Sequence, residues 1–87
     1  MNNGAPGYWM NETSGVLKPA IAAYLNGAEM TGEQIAAMRA YLRQWINAPG
    51  YRGTAVDNLR GGIDQLTSRE AIRAWLDLAD EIGIDPL

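Results

Sequence analysis

The chain has no cysteine and no histidine. The first absence removes disulfide bonds and thiolate chemistry, and the second removes imidazole acid–base catalysis. Together they exclude zinc, haem and iron–sulfur sites built on those ligands. A cation site would have to be made from carboxylates alone, which requires Asp and Glu in a cluster. Serine is scarce as well. Ser14 and Ser68 both fall where a helix is expected to begin, a place that suits a capping hydroxyl better than a nucleophile. No phosphate-binding loop, dinucleotide fingerprint or nucleophile elbow occurs. Any catalysis would rest on carboxylates, Arg and Tyr, so the expectation is a protein that is not an enzyme and uses no cofactor and no metal.

Long apolar runs are also missing: no stretch approaches the ~20 residues that span a bilayer. The opening "MNNGAPGYWMNETSG" lacks the basic and apolar regions of a secretory signal. The expectations are no membrane association and a cytoplasmic location, with helix packing in place of disulfides to hold the fold.

Positive charge is in short supply, with seven Lys and Arg against ten Asp and Glu, for a net charge of −3. Binding to a phosphate backbone needs a basic footprint, so nucleic acid is a poor candidate partner. The charge is nevertheless uneven. Arg39, Arg43, Arg52 and Arg60 share their stretch with one acid, Asp57, whereas Asp77, Asp80, Glu81 and Asp85 follow one another with no cation between them. Lys18 is the single lysine, and Arg is the side chain suited to planar, bidentate recognition.

What the chain does contain is helical pattern. Eighty-seven residues make one small domain, able to bury roughly 60 to 65% of its unfolded surface. Hydrophobic content of 47% with 20% charged residues fits a folded, soluble chain. Residues 1–13, broken by Gly4, Pro6 and Gly7, are expected to form a flexible arm, leaving 14–87 as the helical domain. "VLKPAIAAYL" predicts a first helix over 16–25, with Pro19 in its first turn and Asn26-Gly27 as its stop. Being apolar nearly all round, it is expected in the middle of the bundle.

"TGEQ" at Thr31–Gln34 has the form of a capping box and opens a helix over 32–46, ended by "NAPG". Val56, Leu59, Ile63 and Leu66 trace one face of a third helix over 55–66. Gly61-Gly62 inside it should kink or break it, with close approach of another backbone as the expected reason for the pair. "TSRE" at Thr67–Glu70 is a second capping box for a helix over 68–82. On that helix Ala71, Ile72, Trp75, Leu76, Leu78, Ala79 and Ile82 fill one side, and Gly83 is the expected C-terminal stop. The result is an all-α, small four-helix bundle.

A pentapeptide recurs along these helices: "IAAYL" at 21, "MRAYL" at 38 and "IRAWL" at 72, with "AVDNL" at 55 keeping the final Leu. The 34-residue double step matches the tetratricopeptide period, but the residues of that repeat are not present in register. A helix of ~11 to 12 residues with a connection of ~4 to 6 gives the same pitch in any compact helical domain. The pentapeptide is therefore read as one turn of core contact, with its Tyr or Trp at the rim of the core.

"APGY" occurs at Ala5–Tyr8 and again at Ala48–Tyr51, each time placing Tyr after a turn-forming Pro-Gly. Tyr, Trp and Arg are enriched at protein-binding hot spots. Tyr8, Trp9, Arg39, Arg43, Tyr51 and Arg52 therefore form the candidate partner surface. The functional expectation is a small acidic protein-interaction module, of the kind a phage or mobile element uses to inhibit a host complex. Two alternatives stand beside it. One is a nucleic-acid-binding regulator using Arg39–Arg60, and the other is a structural protein that forms a homodimer through its apolar first helix. Asp77 and Glu81, on a charged helix face, are expected to be a solvated face more than a cation site.

Overall fold

A computed structural model describes the backbone of residues 5–87 and the side chains of residues 15–87. Four helices follow one another as α1 (Ala5–Leu25), α2 (Gly32–Ile46), α3 (Thr54–Gly62) and α4 (Arg69–Glu81). A 3₁₀ turn, Ile63–Gln65, continues α3. The all-α bundle expected from periodicity is the fold observed.

The second helix is built as its sequence predicts. Thr31 accepts from the Gln34 backbone N–H at 3.0 Å, and Gln34 Oε1 accepts from the Thr31 N–H at 3.0 Å, which closes the capping box. Met38, Leu42 and Ile46, spaced four residues apart, are completely buried. They make α2 the centre of the molecule, with α1 packed on it and α3 and the 3₁₀ turn also against it. The expectation that the first helix takes the middle is thus corrected. Much of α1's apolar surface is alanine, which buries little area and is indifferent to exposure; Ala20 is buried while Ala22 faces solvent.

The start of α1 also differs, at Ala5 and not near 16, so helix runs through much of the stretch expected to be an arm. Pro19 lies inside this helix and not in its first turn. Its missing N–H withdraws a bond from the Gly15 carbonyl, but Gly15 and Pro19 are both exposed, so water can take that place. The C-terminal stop is as expected. Gly27 adopts φ +72°, the Ala28 N–H reaches the Ala23 carbonyl at 2.9 Å, and the Gly27 N–H reaches that of Tyr24 at 3.2 Å. The same pair of bonds ends α4, where Gly83 has φ +85° and Ile84 folds back, buried, to bond the Ala79 carbonyl at 2.9 Å. Both are Schellman motifs.

Three further details are corrected. The N-cap of α4 is Ser68, whose Oγ accepts from the Ala71 N–H at 3.1 Å. Thr67 is drawn out of the capping position by the tight turn in which its N–H bonds the Gln65 carbonyl at 2.9 Å. The break at Gly61-Gly62 is present as the change from α to 3₁₀. Among the described residues no backbone comes close there: a Cβ on Gly61 would meet nothing within 4 Å, and one on Gly62 would meet only Trp75 Cδ1 at 3.8 Å. Trp75 is buried and not at the rim, its indole N–H satisfied by the Leu59 carbonyl at 2.8 Å.

Candidate protein-binding site

The four cations between Arg39 and Arg60 do not form one basic face. Arg39, half-buried on α2, donates to the Leu66 carbonyl at 2.9 Å, just after the 3₁₀ turn. Arg43, one turn later, pairs with the Asp64 carboxylate of that turn. Arg60 donates to the Ile46 carbonyl, Asn47 Oδ1 and Asp57 Oδ1, each at 2.9 Å. Arg69, outside the candidate set, reaches the Tyr24 carbonyl at 2.6 Å with its guanidinium 5.0 Å from the centre of the Tyr24 ring.

These contacts share a logic. The last carbonyls of a helix have no partner within it and carry the negative end of the helix dipole, so a guanidinium from a neighbouring element both satisfies and neutralises them. Arg69 does this at the end of α1 and Arg60 at the end of α2, while Arg39 serves the end of the 3₁₀ turn.

The aromatic members of the proposed surface are also engaged. Tyr51 stacks on Trp45 with ring centres 6.1 Å apart and planes 26° apart. Trp45 Nε1 donates to the Tyr41 hydroxyl at 3.0 Å, and that hydroxyl donates to the Pro86 carbonyl at 2.6 Å. This chain of contacts fastens the C-terminal segment and the Asn47–Gly53 loop to α2. Of the six candidates, Arg39, Arg43 and Tyr51 thus make intramolecular contacts. Arg52 is exposed, beside a hollow that it shares with Ile82 and Ile84. The side chains of Tyr8 and Trp9 lie outside the described residues.

A different surface, not among the sequence candidates, has the features of a docking site. Between α3 and α4 runs a groove of about 280 Å³, with Trp75 and Leu59 in its lining. Leu78 and Ile82 form the α4 side and are 54% and 41% exposed. Ala55, Asn58 and Gly62 form the α3 side, and Glu81 stands at the α4 edge. The clue in the sequence was the width of α4's apolar arc. At 100° per residue, the stretch from Ala74 through Leu78, Ile82, Trp75 and Ala79 to Leu76 covers about 200°, more than the ≳100° stripe a helix needs to face one core.

Tyr24 is the one described side chain with a displaced ionisation. Burial of its hydroxyl raises its pKa, Asp77 raises it further, and Arg69 and Arg73 oppose the shift. Among the described residues, no three carboxylates converge as a metal site would require, and no helix is long and apolar enough to cross a membrane. No family model, no curated protein and no solved structure matches this chain.

Proposed function

We propose that this chain is a non-enzymatic protein-interaction module whose contact surface is the α3–α4 groove. The supporting observation is the exposure of Leu78 and Ile82 beside Trp75, on a molecule whose other large apolar side chains on α2 and α4 are buried or half-buried. Grooves between helices, lined by apolar side chains with few polar groups, are where proteins take apolar ligands and helices of partners. The surface first marked by sequence is less suited to this role, because Arg39, Arg43 and Tyr51 hold the chain's own elements together.

The test uses Leu78→Asp with Ile82→Ser. Both side chains are substantially solvent-exposed, so the unfolding free energy should change by less than about 1 kcal/mol. A partner captured by the wild-type chain should be lost by this variant and kept by Arg52→Glu. Retention by the groove variant and loss by Arg52→Glu would return the site to the loop. The narrower proposal, a mobile-element protein that inhibits a host complex, rests on size and charge and predicts that the captured partner is a host complex whose activity falls on binding.

Neither alternative gains comparable support. The nucleic-acid reading needs free cations in Arg39–Arg60, three of which are engaged as described. Self-association through the first helix has Leu25 as the only large exposed apolar side chain among α1's described residues.

A further inference from the structure

We infer that the occupant of the groove is an amphipathic helix carrying lysine or arginine along one flank. This rests on the groove being the contact surface and adds the chemistry of what it takes.

The shape of the groove selects a helix. On α4 the apolar wall is Leu78 and Ile82, one turn apart; on α3 the wall runs from Ala55 to Gly62, two turns apart. Seven residues at 1.5 Å per residue make a trough about 10 Å long, the length spanned by helix anchors at i, i+4 and i+7. Ala55 and Gly62 keep the α3 wall low, so a partner's backbone can come close. Gly62 has φ −89° and ψ −5°, a conformation open to any L-residue. No turn geometry therefore accounts for glycine at that position.

Charge selects the flank. Along the outer edge of α4, Asp77 and Glu81 stand one turn apart, with Glu81 in the lining of the groove, and Arg73 lies one turn before Asp77, about 40° further from the groove at 100° per residue. Both acids are exposed, and neither forms a salt bridge among the described residues. The α3 lip is neutral, with Asn58 and the exposed Gly61. A helix lying in the trough therefore meets acids on one side only.

A second copy of this chain fits less well. If two such faces paired about a two-fold axis with their α4 helices antiparallel, like edges would meet and the acids would face acids. With the helices parallel, the acids would face the neutral lip. Neither pairing supplies a row of cations, and like charges across an interface are unfavourable.

The probe is a synthetic helix of about four turns with leucines at i, i+4 and i+7 and lysines on one flank. Its control has glutamates in place of the lysines. Titrated into the isotopically labelled full chain, the lysine peptide should shift the resonances of Ala55, Gly62, Leu78 and Ile82 and bind at least about tenfold more tightly than the control. Asp77→Lys with Glu81→Lys should invert that order, and Gly62→Leu, which fills the trough, should abolish both interactions. Equal binding of the two peptides at the groove would overturn the charged-flank inference and leave the docking surface standing. Resonance shifts elsewhere, or none, would overturn both. Concentration-dependent dimerisation that protects Leu78 and Ile82 and is lost in Gly62→Leu would make a second copy the occupant and refute the inference.

Discussion

At the scale of single residues, this chain uses arginine and tyrosine for their reach. Tyr24 spans the seam between α1 and α4, its carbonyl bonded by Arg69 and its ring beneath the same guanidinium. Its folded-state pKa lies above that of the unfolded chain, first because its hydroxyl is buried and then because Asp77 repels the phenolate. The unfolded chain therefore loses this proton first as pH rises. The contribution to stability is intact below the ordinary tyrosine value of about 10 and is lost as pH climbs through the raised folded value. No described residue hydrogen-bonds the Tyr24 hydroxyl, so Tyr24→Phe should change stability at neutral pH by less than about 0.5 kcal/mol. Above pH 10 its unfolding free energy should fall less steeply than that of the wild type. Denaturant unfolding across the alkaline range, alongside tyrosinate absorbance, checks this. An unchanged alkaline slope would mean that other groups set it.

At the scale of elements, the termini were legible because each depends on a few neighbouring residues. Thr31 with Gln34, Asn26 before Gly27, and Gly83 before Ile84 all behave as their local chemistry requires. The start of α1 was not legible, since Pro19 signals a first turn locally and only solvent access around it makes an interior place tolerable. The two kinds of glycine allow a direct contrast. Gly61 is helical, exposed and clear of described neighbours, so Gly61→Ala should stabilise the domain by about 0.4 to 1 kcal/mol. Gly83 sits at φ +85°, where a Cβ is strained whatever the space around it, and Gly83→Ala should destabilise by about 1 kcal/mol. Opposite shifts in thermal midpoint are expected from the same chemical change. The groove was half legible at this scale: the over-wide apolar arc of α4 is written in the sequence, but which part of it stays uncovered depends on where α3 packs.

At the scale of the whole molecule, what escapes a sequence reading is the assignment of cations to partners far along the chain. Arg39 and Arg43 read as a recognition surface because their bonding partners, Leu66 and Asp64, lie 27 and 21 residues away in sequence, and the Ile46 carbonyl that Arg60 bonds lies 14 away. Sequence shows that a cation is present; only packing shows which carbonyl it faces. The consequence separates two kinds of arginine. Arg43 and Asp64 form an exposed pair, screened by salt, and Arg43→Ala should cost no more than about 0.5 kcal/mol. Arg60 joins the last carbonyl of α2, the Asn47 side chain and Asp57, a set that needs the forked geometry of guanidinium. A lysine there keeps the charge but cannot meet all three acceptors. Arg60→Lys should therefore lose about 1 to 2 kcal/mol, seen as a lower urea midpoint with an unchanged slope. Because two of the three acceptors are uncharged, that deficit should persist in about 1 M salt, where the Debye length is about 3 Å. A deficit that vanished with salt would show that Arg60 acts through its ion pair with Asp57, and that the end of α2 needs no clamp.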